Sequence, residues 1–125
     1  MAEDRVGFKI KEDGLGEVQV AEEVVVIIAG LAAMEAEGVS SMGGNITKDV
    51  VSRLGIKNLS KGIKLEMEEN RATVSVAINI AYGYAIPAVC AKVQEKVKNA
   101  IETMTGLEVA AVNVRILDVD MGTEE

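Results

Sequence analysis

Regular alternation of apolar and polar residues is clearest in the middle of the chain. Apolar side chains recur at every second position over 63–68 and again over 74–80, and Glu69-Asn70 between the two runs supplies turn chemistry. The apolar positions are Ile63, Leu65, Met67, Val74, Val76, Ile78 and Ile80. The pattern predicts a β-hairpin. The opposite face of its second strand is polar but uncharged, which predicts a surface that is either solvated or covered.

A spacing of three and four residues between apolar positions predicts two longer helices. The first follows a short alternating strand at 16–20, begins at Glu22-Glu23, whose charges suit the positive end of a helix dipole, and ends at Gly38. The second begins at Pro87 and ends at Gly106. Their apolar stripes are Val24, Ile27, Ile28 and Leu31 in the first helix, and Ile86, Val89, Cys90, Val93, Val97, Ile101 and Met104 in the second.

The remaining segments carry shorter signals. A loop is predicted over 39–45, followed by a short helix at 47–54. The last strand begins near Leu107, and a change in the parity of its apolar positions predicts a bulge or bend near Ala110-Ala111. At the N-terminus, alternation over 6–10 fits either an edge strand or a lead arm.

The predicted fold class is α+β, in the order β-α-(α)-β-β-α-β. We expect a two-layer sandwich in which helices cover one face of a mainly antiparallel sheet, with a split βαβ arrangement as the leading topology. Residues 1–15 form the lead arm or edge strand, 16–119 a single domain and 120–125 an acidic tail. With 125 residues, of which 49% are apolar, the chain can build one core but not two.

Charge and cysteine content limit the partners and the compartment. The net charge of -7 disfavours nucleic acid and anionic lipid as partners reached by general attraction. The single cysteine, Cys90, cannot form an intrachain disulfide, which suits a reducing compartment. Residues 1–11 lack a signal-peptide apolar run, and the apolar run over 24–34 is about half the ~20 residues of a membrane span. We expect a cytoplasmic protein without direct membrane insertion.

Residues typical of catalysis are missing or poorly placed. The sequence has no histidine, the commonest general acid or base and metal ligand. Cys90 lies on an apolar helix stripe, and carboxylate runs such as Glu22-Glu23 and Asp118 with Asp120 lack convergent spacing. The glycines match neither phosphate-binding loop pattern. We therefore predict a non-enzymatic protein with no catalytic residues, no cofactor and no metal.

Two alternative functions stay open. The element order is similar to that of RNA-binding KH domains, whose Gly-x-x-Gly loop clamps the nucleic-acid backbone. Residues 41–44 lack that glycine spacing and an adjacent basic pair, although a loose basic stretch follows at Lys48, Arg53, Lys57, Lys61 and Lys64. The second alternative is a small regulatory domain that binds a ligand between subunits, but no sequence feature marks such a pocket.

Three short motifs in the second half carry a family resemblance. They are Tyr-Gly-Tyr-Ala-Ile-Pro at 82–87, Val-Gln-Glu-Lys-Val at 93–97 and Met-Thr-Gly-Leu-Glu-Val at 104–109. With matching positions in the first half, the chain from 16 to 119 resembles the alkaline shock protein 23 family of bacterial envelope-stress proteins. Ala85 departs from the asparagine often found at that motif position, and the tail ends soon after the last strand where some members continue.

This resemblance implies a cytoplasmic protein, chiefly of Gram-positive bacteria, without known catalytic activity. Some members resemble scaffolds that self-assemble and are held at the membrane by a small anchoring protein, and others are linked to fatty-acid metabolism. We therefore expect an interaction protein of the cell-envelope stress response that forms homo-oligomers and binds protein partners. A small regulator linked to fatty-acid metabolism, or binding a small ligand, is the alternative.

The strand-to-helix turn at 82–87 is the predicted partner-binding site. Gly83 permits the turn, Ile86 is expected to reach the core and Pro87 begins the helix. Tyr82 and Tyr84 are two of the three aromatic residues in the chain, and a partly exposed tyrosine is a good anchor for a partner. Our hypothesis is that Tyr82, Gly83, Tyr84 and Ile86 form part of a protein contact.

Overall fold

The computed structural model describes residues 7–43, 61–69 and 71–121. Within these residues the chain forms six strands and two helices. In chain order they are β1 (Gly7–Asp13), β2 (Gly16–Ala21), α1 (Glu22–Met34), β3 (Val39–Met42), β4 (Ile63–Glu68), β5 (Arg71–Ala81), α2 (Ile86–Thr105) and β6 (Glu108–Asp120). The predicted α+β class and element order are confirmed. The short helix predicted at 47–54 lies outside the described residues.

Strand β5 is the centre of a four-stranded sheet. It pairs with β6 in parallel along its whole length, so its second edge is shared by two shorter strands. There β4 pairs with 71–76 and β3 with 78–80, both antiparallel. Between these pairings the Gly43 N–H donates a hydrogen bond to the Ala77 carbonyl at 2.8 Å. The sheet is therefore mainly antiparallel, as predicted, and β5 is covered on both edges.

Strand β2 does not take the place that a split βαβ unit would give it. In the described part of the chain β2 pairs only with β1, in a separate antiparallel hairpin. The parallel strands β5 and β6 are direct neighbours joined through α2, so no third strand divides them. The expected split arrangement is therefore wrong. Of the alternating residues at the N-terminus, Phe8 and Ile10 lie in the strand β1.

Residues 39–42 form β3, although the sequence predicts a loop there. A strand of four residues is too short for alternation to reveal it. The strand exists because it pairs with the end of β5, where Val39 lies opposite Ile80 and Met42 opposite Ile78. Met42 is fully buried. Pairing and burial thus override the glycine-rich local sequence.

Strand β6 departs twice from regular pairing with β5. Its register skips Ala110, which confirms the predicted bulge, and it shifts again at Leu117. Between the two shifts Val112 is buried, and Val114 and Ile116 pack against the core from positions that are half-buried. The bulge explains why the apolar residues before and after it have opposite parity.

Both helices pack on one face of the sheet and contact each other. Helix α2 buries the middle of its predicted stripe, and each fully buried side chain of this size contributes about 1.5–3 kcal/mol. The expectation that Ile86 reaches the core is wrong, because Ile86 and Met104 lie exposed at the two ends of the helix. The buried stripe residues are Val89, Val93, Val97 and Ile101.

The predicted buried face of α1 is partly wrong. Val24 and Leu31 are exposed, whereas Val25, Ala29 and Ala33 are completely buried. Since α1 is apolar on nearly every side, apolar spacing alone does not show which face turns inward. Helix α1 contacts α2 and the sheet, and this packing, which small buried side chains such as Ala29 and Ala33 allow to be close, selects the buried face.

Candidate functional site

Residues 82–85 connect β5 to α2 and form a tight turn. The Tyr82 N–H donates a hydrogen bond to the Asp120 carbonyl at 2.8 Å, one step beyond the last pair of β5 and β6. Gly83 has a φ of 101°, which residues with a Cβ rarely adopt, and Pro87 lies in the first turn of α2. The turn role predicted for Gly83 and the helix-start role predicted for Pro87 are confirmed.

The two tyrosines that flank Gly83 differ in their surroundings. Tyr82 is 69% exposed and Tyr84 is 44% exposed. A Cβ placed on Gly38 would lie 3.0 Å from Cδ2 of Tyr84 and 2.5 Å from Cγ2 of Val89, so the Tyr84 ring covers the backbone of the turn after α1. Tyr84 therefore supports the fold, and Tyr82 is the side chain more available to a partner.

Three exposed apolar side chains lie at the same end of the sheet as Tyr82. Ile86 begins α2 and is 43% exposed. Val119 and Met121 flank the residue of β6 that accepts the hydrogen bond from Tyr82, and both are exposed. Sequence reasoning missed these two because only the pairing of β5 with β6 brings them to the turn. We call Tyr82, Tyr84, Ile86, Val119 and Met121 the corner patch.

A small cleft opens beside Tyr84. It has a volume of about 170 Å³ and is lined by Glu37, Tyr84, Ala85, Ala88, Val89 and Lys92. Pockets that bind small molecules usually measure about 300–1,000 Å³, so this cleft suits a single protein side chain better than a metabolite. Glu37 and Lys92 add one charge of each sign to its lining.

The one cysteine and the carboxylates of the described residues show no arrangement that activates a nucleophile or holds a metal. Burial raises the pKa of the half-buried Cys90 thiol, which keeps it protonated and weakly nucleophilic near neutral pH. Across residues 7–43, 61–69 and 71–121, no three Cys, Asp or Glu side chains converge as a metal site requires. Neither of the two described helices is long and apolar enough to cross a membrane. The chemistry of the patch is aromatic and aliphatic contact.

These features define an α+β domain with an exposed aromatic and aliphatic corner at one end of its sheet. Residues 10–121 match the alkaline shock protein 23 family, which is described by a cell envelope-related function. The chain therefore belongs to this family, and the resemblance found in its sequence motifs is confirmed.

Similar proteins come from Gram-positive bacteria. The uncharacterized protein YqhY of Bacillus subtilis (strain 168) is 37% identical over 110 residues, covering 88% of this chain and 82% of that protein. The uncharacterized protein YloU of the same strain is 31% identical over 106 residues, covering 83% of this chain and 88% of that protein. A stress response regulator gls24 homolog of Streptococcus pyogenes is 23% identical over 105 residues, covering 83% of this chain and 59% of that protein.

Proposed function

We propose that this chain is a non-enzymatic, cytoplasmic interaction protein of the cell-envelope stress response, which associates with itself and is recruited to the membrane by a protein partner. The family description and the similarity to stress response regulator gls24 homologs support the envelope-stress role. The corner patch carries the interaction role, because its aromatic and aliphatic side chains are exposed together at the end of two paired strands.

Tyr82 is the expected anchor of this contact. A tyrosine offers a large, rigid, amphipathic surface, and tyrosines are enriched among the residues that dominate binding free energy at protein interfaces. Ile86 and Met121 are apolar neighbours that would exclude water from around the ring. In a two-fold dimer, Tyr82 of one copy would face the cleft beside Tyr84 of the other, so each interface would contain the same contact twice.

Self-association is tested by sedimentation velocity over a range of protein concentrations. We expect Tyr82→Ser to weaken self-association roughly tenfold or more, as the loss of a central anchor does. Met104→Ser is the matched control, because Met104 is 68% exposed, close to the 69% of Tyr82, and lies at the opposite end of α2. An equal effect of the two substitutions, or a wild-type chain that stays monomeric at all concentrations, would refute the role of the patch.

Partner recruitment is tested separately in the cells that make the protein. Crosslinking in intact cells followed by membrane fractionation should recover the wild-type chain with a membrane-associated protein partner. Tyr82→Ser should move the chain to the soluble fraction, and Met104→Ser should not. Recovery of the wild type as a lone monomer, without crosslinked protein, would contradict the proposal.

A regulator that binds a small ligand, including one linked to fatty-acid metabolism, is the second candidate. It is favoured by a concavity on the face of the sheet opposite the two described helices, away from the corner patch. A ligand that binds only the folded chain raises its melting temperature, which gives a simple assay for this candidate. RNA binding is disfavoured by the net charge of -7.

A further inference from the structure

The face of the sheet opposite the two described helices contains a depression with a floor of small residues. Ser75 of the central strand pairs with Lys64 on one side and with Asn113 on the other, so these three side chains point to the same face. Two residues further along β5, on the same face, Ala77 pairs with Arg115, and Gly62 lies against the Ala77 carbonyl. Long side chains at the edges and small ones in the middle produce a concave surface.

Gly62 allows backbone segments to lie close together beside this depression. A Cβ at position 62 would lie 3.0 Å from the Gly43 nitrogen and 3.1 Å from the Ala77 oxygen, so a side chain there would strain two backbone groups that are hydrogen-bonded to each other. The resulting concavity has a volume of about 520 Å³, within the ~300–1,000 Å³ of small-molecule sites. The described residues that line it are Lys61, Gly62, Ile63, Lys64, Ser75, Val76, Ala77, Asn113, Val114 and Arg115.

The charge of this concavity is opposite to that of the chain. Its lining includes three cations, Lys61, Lys64 and Arg115, and none of the described lining residues is a carboxylate. The net charge of the protein, by contrast, is -7. None of these three cations has an ion pair within the described residues, whereas Arg71, elsewhere on β5, is paired with Glu108 at 3.5 Å. Positive charge is therefore concentrated in the lining of the concavity, and none of it is engaged in an ion pair with a described residue.

We propose that this concavity binds a small molecule that carries a phosphate group. The planar guanidinium of Arg115 matches two oxygens of a phosphate, and the ammonium groups of Lys61 and Lys64 neutralise its remaining charge. The Ser75 hydroxyl and the Asn113 amide supply neutral hydrogen-bond donors on the same face. We name this set of Lys61, Lys64, Ser75, Asn113 and Arg115 the anion site. It shares no residue with the corner patch, so it adds a ligand to the proposed interaction function.

A small ligand fits the electrostatics better than a polymer does. An extended polyanion would meet the negative charge of the rest of the chain, including Glu66 and Glu68, which follow Lys64 on the same side of β4. A molecule held within the concavity contacts the cationic end of the face alone. The acidic end thus limits the length of the anion that can bind.

Pyrophosphate is the probe for the first experiment, with the full chain labelled for amide NMR and ionic strength held constant with sodium chloride. We expect saturable shifts at the amides of Gly62, Ser75 and Asn113. Lys64→Gln should weaken binding at least tenfold, and Lys98→Gln should leave it unchanged. The control removes the same charge from an exposed position on α2, which covers the opposite face of the sheet. Ala77→Asp places a carboxylate on the floor and should abolish binding.

Several results would overturn the proposal. Absence of saturable shifts at millimolar pyrophosphate would do so, and so would equal weakening by Lys64→Gln and Lys98→Gln, because that would indicate diffuse attraction. Lipid headgroups offer the same phosphate chemistry. A flotation assay that compares phosphatidylglycerol vesicles with phosphatidylcholine vesicles tests whether the chain binds them. Vesicle binding that Lys64→Gln abolishes, without any pyrophosphate binding, would assign the site to a membrane surface and reject a small ligand.

Discussion

The ring of Tyr84 lies against the backbone of Gly38, and together with Val89 it leaves no space for a side chain at that position. Gly38 lies between α1 and β3 with a φ of 99°, and its carbonyl accepts a hydrogen bond from the Ala81 N–H at 2.9 Å. One glycine therefore connects the end of α1 to the end of β5 and the start of α2. A tyrosine predicted to bind partners also holds these three elements together.

Gly38→Ala should be strongly destabilising. The added methyl group would both clash with Val89 and Tyr84 and force a residue with a Cβ into a left-handed conformation. We expect the free energy of unfolding, measured by urea denaturation, to fall by about 2–4 kcal/mol. Gly83→Ala is the control, because Gly83 has a φ of 101° but no atom within 4 Å of the added Cβ. It should cost only the conformational part, about 1–2 kcal/mol, and an equal loss in both variants would contradict the packing role of Tyr84.

Tyr84→Ala and Tyr82→Ala should differ in stability. Tyr84 covers the Gly38 turn and is 44% exposed, so its removal should lower the free energy of unfolding by about 1–2 kcal/mol. Tyr82 is 69% exposed, and its removal should change that free energy by no more than about 0.5 kcal/mol. Urea denaturation of both variants under conditions that keep them monomeric measures the difference. A greater loss for Tyr82→Ala would show that the assignment of the two roles is reversed.

Thr105 closes the C-terminus of α2 through its hydroxyl. The hydroxyl donates a hydrogen bond to the Ile101 carbonyl at 2.6 Å and accepts one from the Leu107 N–H at 3.1 Å, both in buried surroundings. Thr105→Val keeps the shape but removes the acceptor, so the buried Leu107 N–H loses that partner. We expect a loss of about 1–3 kcal/mol in the free energy of unfolding. Thr105→Ser retains the hydroxyl and should cost less; the opposite order would mean that the methyl group matters more than the hydrogen bonds.

Cys90 should make stability depend on alkaline pH. Burial raises the pKa of its thiol in the folded chain, so the folded state holds the proton more tightly than the unfolded state. The contribution of Cys90 is complete below the usual thiol pKa of about 8.5 and is lost as pH rises through the raised folded value. Urea denaturation from about pH 7 to about pH 10 should therefore show wild type losing more stability than Cys90→Ala. Parallel pH profiles would rule out this effect of burial.

The sequence predicted those parts of the fold in which burial is one-sided. The β4–β5 hairpin and the middle of α2 each bury one regular set of side chains, so alternation and helical spacing identify them. The buried face of α1 could not be predicted, because its apolar residues surround the helix. Strand β3 could not be predicted either, since Val39–Met42 becomes a strand only through pairing with β5.

The two candidate sites differ in whether their residues are neighbours in the sequence. The turn at Tyr82 to Ile86 was found because its residues are neighbours in the sequence and include two of the three aromatics. The anion site was missed because Arg115 lies far along the chain from Lys61 and Lys64, and only the pairing of β4 and β6 with β5 places them around one depression. In the sequence the two lysines belong to a loose basic stretch, and no sequence signal links them to Arg115.

Replacing Arg115 with glutamine and replacing Arg71 with glutamine should change the free energy of unfolding in opposite directions. Arg71 is paired with Glu108 at 3.5 Å on an exposed surface, so Arg71→Gln should lower the free energy of unfolding by about 0.2–1 kcal/mol. In anion-free buffer, Arg115 lines the concavity together with two other cations and makes no described ion pair, so Arg115→Gln should raise that free energy by up to about 0.5 kcal/mol.

Both substitutions change the net charge equally, so the overall negative charge of the chain affects them alike. High salt should shrink the two effects, because exposed charges are then screened. With pyrophosphate present, the wild type should become more stable than Arg115→Gln. Pyrophosphate stabilises the wild type by binding the folded state, and the glutamine variant gains less. Urea denaturation at low salt, at high salt and with pyrophosphate measures all three results. If Arg115→Gln destabilises the anion-free chain as much as Arg71→Gln does, then Arg115 has a compensating partner and the anion site is not a region of uncompensated positive charge.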